Sequence, residues 1–160
     1  MHKLILKPGR EKSVKRRHPW IFSGAVAELK GQPESGDTIA IHAHSGERLA
    51  YAAYSPHSQI RARVWTWGDE SIDASFIRQR IAAAAARRAA LHIGRSGNSL
   101  RLVHAEADGL PGVVADRYGE VVVVQLLSAG AERWRDAIAD ALFALGGTSC
   151  LWERSEGEAR

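Results

Sequence analysis

An α+β fold in two parts is what this sequence predicts: a small curled β-barrel, then a second α+β unit of strand–strand–helix–strand type. Three observations carry that reading. Short strand-like runs with turn residues between them crowd the first 67 residues. A long alanine-rich helical segment follows. After it, β-branched runs flank a second helical stretch.

The elements follow in order. "LILK" (4–7) reads as a strand that Pro8 and Gly9 end. "REKSVKRR" (10–17) reads as two turns of helix with Val14 its only apolar residue, stopped because Pro19 disfavours helix at His18. "WIFSGAV" (20–26) reads as extended chain around a glycine loop. Here Trp20 and Phe22 share a face, one expected in the core and the other partly exposed. "TIAIHA" (38–43), "RLAYAAY" (48–54) and "IRARVWTW" (60–67) read as strands joined by "HSGE" and "SPHS". Asp73 is the expected N-cap of a helix over 74–92 that buries Ile77, Ile81, Ala84 and Leu91.

Beyond it, "LRLVHAEA" (100–107) and "GVVADRY" (112–118) flank the turn "DGLP". "VVVVQLLS" (121–128) reads as a strand buried on both faces. Ser128 is the expected cap of a helix over 131–145 with Trp134, Ile138, Leu142 and Leu145 in its buried stripe, and "CLWERS" (150–155) reads as a last strand. The expected organisation is therefore 1–70, a connecting helix and loop over 71–99, and a second unit over 100–160.

Composition narrows the function classes. Of 160 residues, 45% are hydrophobic and 25% charged, which is globular usage. No apolar run reaches the roughly 20 residues of a membrane span, and the N-terminus lacks a signal-peptide pattern. One cysteine, Cys150, excludes an internal disulfide and fits a reducing cytoplasm. Residues 1–67 hold 11 Lys/Arg against 5 Asp/Glu, whereas residues 68–160 hold 11 against 13. A positive field gathered at one end is the footprint of a polyanion partner; the alternative is a solvated face.

The candidate binding residues follow from that field. Lys12, Lys15 and Arg16 fall on one helical face, with Arg17 beside them. In the strand 60–67, Arg61, Arg63, Trp65 and Trp67 share one side. Guanidinium forks suit phosphate and indoles suit unpaired bases, the alternative being that the tryptophans pack under the following helix. Trp20 is a further stacking candidate. Ser23 and Gly24 form a loop with little bulk, where backbone N–H groups can approach a phosphate.

Other groups read as structural. His18 is a turn residue. His42 and His44 lie on the surface. Glu106, Asp108 and Asp116 surround an Asp-Gly turn and do not suggest a metal, and Cys150 is expected in a buried strand, as core, with no base beside it. No G-x-G-x-x-G follows a strand and there is no P-loop, so neither a catalytic nor a cofactor-binding residue is expected.

"GREKSVKRRHPWIFSGAV", "AYSPHSQIRARVWT", "ESID", "EADGLPGVVADRYG" and "VVQLLSAGAERWR" together resemble, in order, the N-terminal part of the bacterial large-subunit ribosomal RNA cytosine-5 methyltransferase I family. The resemblance implies a PUA domain, a small RNA-binding pseudo-barrel, over 1–70 and a compact middle domain after it. It further implies that a methyltransferase domain with the S-adenosylmethionine site and the catalytic cysteine lies outside these residues. Cys150 does not match that cysteine. Ribosomal RNA is the implied partner, and the family leaves room for a homodimer of the full-length protein. Two rival expectations are a free-standing RNA-binding module without catalysis and a protein-interaction module.

Overall fold

The computed structural model describes residues 2–91 and 98–155. The first part contains β1 (Lys3–Leu6), α1 (Glu11–Lys15), β2 (Trp20–Phe22), a 3-10 turn (Ser23–Ala25), β3 (Val26–Lys30), β4 (Thr38–His42), β5 (Arg48–Tyr54) and β6 (Ile60–Thr66). Its six strands form one sheet in the order β2-β6-β5-β4-β1-β3, parallel at β1–β4 and antiparallel elsewhere. The two edge strands, β2 and β3, are joined by only the turn Ser23–Ala25. So short a tether cannot cross a flat six-stranded sheet, whose neighbours lie about 4.8 Å apart, so the sheet curls into a half-barrel. Leu4, Leu6, Ile21, Ile39, Ile41, Ala52, Ala62 and Val64 fill it, and α1 closes one end with Val14.

The second part contains α2 (Ala74–Ala90), β7 (Ser99–His104), a 3-10 turn (Ala105–Asp108), β8 (Val113–Tyr118), β9 (Val121–Leu126), α3 (Ala129–Arg133), α4 (Arg135–Ala144) and β10 (Cys150–Glu153). Its sheet runs β10-β9-β8-β7, with β10 parallel to β9 and the other pairs antiparallel. The fold is thus α+β, a half-barrel followed by a helix-backed sheet. Asp73 and Ser128 cap their helices as expected, accepting from the backbone N–H of Phe76 and Ala131.

Several expectations are corrected. β3 was not foreseen: "VAELK" is mostly exposed and is a strand because β1 pairs with it. β9 is not buried on both faces. Val122, Val124 and Leu126 are buried, while Val121 and Val123 are only half-buried, because the helices cover one side of a single sheet. Leu91 is 70% exposed at the end of α2. The helix expected over 131–145 is two helices that meet at Trp134, whose backbone leaves helical geometry. Cys150 is half-buried on an edge strand.

The two parts share a core across the stretch that joins them. Ala53 and Trp65, from barrel strands, belong to the same core as Phe76, Ile77, Leu110, Val122 and Leu142 of the second part. Gly130 of α3 makes this contact close: a Cβ there would lie 2.4 Å from the Ala53 Cβ and 2.9 Å from the Trp65 ring. Asp37 and Arg133 add an ion pair across the same seam at 3.1 Å.

Candidate nucleic-acid interface

The cations of the opening stretch gather where α1 ends. His18 N–H donates to the Ser13 carbonyl and Arg17 N–H to that of Val14, closing the helix, with Arg17 in the left-handed region at φ 66°. The Arg17 guanidinium lies 5.2 Å above the Trp67 ring, and the Trp67 indole N–H donates to the Val14 carbonyl at 3.0 Å. One tryptophan therefore anchors both the helix and its terminal cation. This is why charges crowd beside the turn: they sit at a carbonyl-rich helix end, on an aromatic face, with solvent around the rest.

Lys12 and Arg16 are exposed and form no ion pair among the described residues, and Arg10 stands with them. Together with Arg17 and His18 they line an open basin of about 650 Å³. Lys15 is engaged elsewhere. Its ammonium meets Glu47 at 2.6 Å, and that hydrogen bond is the main cause of its raised pKa, with desolvation opposing it and the Glu47 and Glu11 charges adding to it. Next to the basin, a second hollow of about 220 Å³ is lined by Leu6, Val14, Ile21 and Phe22. Phe22 is 48% exposed. It stands nearly perpendicular to Trp20, ring centroids 6.4 Å apart, and His18 lies a similar distance from both.

The β6 side departs from expectation. Arg61, Arg63 and Trp65 do share a face, but the second part packs against it. Trp65 is 2% exposed, edge-on to Phe76, and cannot stack on a base. The Arg63 side chain is 16% exposed and meets Glu106 of the 105–108 turn at 3.3 Å. The same carboxylate oxygen accepts the Trp20 indole N–H at 2.6 Å. Arg61 donates to the Pro56 carbonyl.

The Ser23–Gly24 loop is also corrected in part. The Ser23 N–H and hydroxyl both donate to Gln59, so neither faces a ligand, and Lys7 donates to the Gly24 carbonyl. Gly24 itself is exposed with open space around it.

The carboxylates near the Asp-Gly turn each hold arginine. Asp116 takes Arg101 in a two-pronged pair. Asp108, 5% exposed, accepts from Arg87, twice from Arg88, and from the His104 N–H. Burial pushes the Asp108 carboxyl up, but the Arg88 and Arg87 hydrogen bonds, the backbone bond and the Arg88 charge overcome it and hold the group at about 2.

Three residues take a part that the sequence did not assign to them: Arg10, Phe22 and Glu106. Arg10 was detectable by its helical spacing from Ser13 and Arg17 along the basin. Alternation with the buried Ile21 put Phe22 and Trp20 on one face, and Phe22 is the exposed member of the pair while Trp20 is half-buried. Glu106 gave no signal, because its partners lie 86 and 43 residues away in the chain.

Residues 4–67 match the family of PUA-like domains. Proteins named ribosomal RNA large subunit methyltransferase I from Shewanella frigidimarina and Klebsiella pneumoniae are 46% and 51% identical to this chain over 99% of its length. The chain spans 40% of the length of these curated relatives. A solved Streptococcus mutans structure described as a SAM-dependent methyltransferase shares the fold over 97% of this chain and 41% of its own, with a TM-score of 0.82 at 17% identity. Another, described as a methyltransferase complexed with SAH, does so over 99% of this chain and 41% of its own, at 0.83 and 17%. Over nearly its whole length the chain is therefore similar to about two-fifths of proteins named ribosomal RNA large subunit methyltransferase I, and its half-barrel matches the PUA-like domains.

Proposed function

We propose that these residues bind and position ribosomal RNA for a methyltransferase that modifies carbon 5 of a cytosine. The observation that carries the reading is the junction of α1 and β2. Lys12 and Arg16, cations with no ion pair among the described residues, and the ring-held Arg17 surround an open basin beside an exposed aromatic edge, Phe22. Phosphates would lie against Arg10, Lys12, Arg16 and Arg17, and an unstacked base against Phe22. Lys15 would join by exchanging Glu47 for a phosphate, and the open side of Gly24 lets a backbone come close. Trp20 acts from behind, holding Phe22 edge-on. Arg61 contributes only its outer half-exposed surface.

S-adenosylmethionine belongs to the whole enzyme in this reading. The basin does not suit it: a sulfonium and a ribose diol call for carboxylates, and the basin is lined by arginines and a lysine. The methyl transfer and its attacking cysteine are thus assigned to the remainder of the full-length protein. A cytoplasmic location and a homodimer of that protein belong to the same reading, the latter open to light scattering.

Titration of ribosomal RNA fragments by fluorescence anisotropy at several salt concentrations tests the proposal. The logarithm of affinity should fall against log salt by about 0.7 for each neutralised phosphate. Lys12→Ala and Arg16→Ala should each flatten that slope by about 0.7. Phe22→Ala should weaken binding by about 1–3 kcal/mol without changing the slope. Absence of binding at low salt, or binding indifferent to Lys12 and Arg16, would overturn the reading.

A further inference from the structure

Glu106 is held in place with unusual care. Its 3-10 turn opens on Ala105 at φ 44°, a left-handed conformation that a non-glycine residue adopts only when its surroundings impose it. The turn closes on Asp108, fixed by two arginines of α2 and by the His104 N–H. What this clamped turn presents to the barrel is one carboxylate oxygen, on which the Trp20 indole N–H and the Arg63 guanidinium converge. An indole N–H and a guanidinium N–H meeting on one anionic oxygen is also a donor set for a phosphate oxygen. It lies directly behind the aromatic edge of the basin, since Trp20 stands against Phe22 and His18, and Arg63 lies 5.5 Å over the Trp20 ring.

We propose that Glu106 is a built-in competitor for RNA phosphate. It occupies an anion position at the edge of the binding face and withholds Arg63 from RNA until a phosphate displaces it. This rests on the RNA-binding reading above. The consequence is selectivity: an RNA that only lies across the α1 cations gains nothing from Arg63, whereas one that delivers a phosphate to the Trp20–Arg63 pair gains a further contact.

The test is Glu106→Gln, measured in the full chain by the same salt-dependent titrations. Glutamine keeps an oxygen that can accept the Trp20 N–H but removes the charge that neutralises Arg63. Affinity should rise about fivefold at about 0.1 M salt, and the slope should steepen by about 0.7, the contribution of one phosphate on a single strand. Adding Arg63→Gln should cancel both changes, while Arg63→Gln alone should leave the wild-type slope for non-cognate RNA unchanged. A purely structural ion pair would give equal or weaker binding in Glu106→Gln, and that result overturns the proposal.

A second measurement does not depend on the variant folding. In wild-type protein the Trp20 indole N–H resonance should shift on titration with cognate RNA, and a resonance that stays fixed at saturation overturns the proposal. If Lys12→Ala and Arg16→Ala weaken binding while Glu106→Gln changes nothing, competition by Glu106 is wrong and the RNA-binding reading stands. If the wild type does not bind at low salt, both fail.

Discussion

Asp108 shows how far a single side chain governs this chain. Four hydrogen bonds, three of them from arginines, outweigh its burial and keep it ionised with a pKa of about 2. A carboxyl whose pKa is lower folded than unfolded stabilises the fold above the unfolded value and ceases to do so as pH falls through the folded value. Its contribution, on the order of 2 kcal/mol, should be intact above about pH 4 and vanish between about 4 and 2. Urea midpoints across that range should fall in wild type and stay nearly flat there in Asp108→Asn. Asp108→Ala leaves Arg87 and Arg88 facing each other and should cost about 3 kcal/mol, near the lower end for a broken buried pair because Arg87 reaches solvent. The Asp-Gly turn was readable from sequence at this scale. The arginines were not, since they come from a helix some twenty residues upstream.

Among the elements, α1 and α3 depend most on what they touch. A five-residue helix has no stability of its own, and α1 persists through Val14 in the barrel core and the Trp67 N–H on the Val14 carbonyl. Trp67→Phe keeps a ring under Arg17 but deletes the donor. It should cost about 1 kcal/mol and loosen α1, seen as faster hydrogen exchange at Arg16 and Arg17. For α3 the determinant is closeness. Gly130→Ala would force a methyl into Ala53 and Trp65 and should cost about 1–3 kcal/mol in chemical denaturation. The periodicity of α2 and the caps of α2 and α3 could be read from the chain because they are local. The strand β3 could not, because its own pattern is polar and its pairing with β1 makes it a strand.

Across the molecule, the shared core makes one cooperative body of two sequence-defined parts. Trp65 and Ala53 carry barrel strands into the apolar layer between the helices and the second sheet. Trp65→Ala should therefore cost about 3–5 kcal/mol and raise hydrogen exchange in β5 and in β8 together, rather than in the barrel alone. Circular dichroism and tryptophan fluorescence should report a single coincident unfolding transition for the wild type. Two separate transitions would contradict the shared core.

By itself the sequence determined the strand-rich first part, the capped helices, the α+β class and the concentration of cations at one end, because each depends on neighbours a few positions apart. Tertiary structure alone decided which aromatic rings meet solvent and which cations are free. Trp65 and Phe22 both sit on strands beside charged or polar positions, yet one is sealed by α3 and the other is open. Lys12 and Arg63 look equally available in the chain, yet only Arg63 has a carboxylate delivered to it by a distant turn. The physical reason is the same in both cases: alternation along a strand assigns a residue to a face, and only the packing of distant segments decides what that face meets.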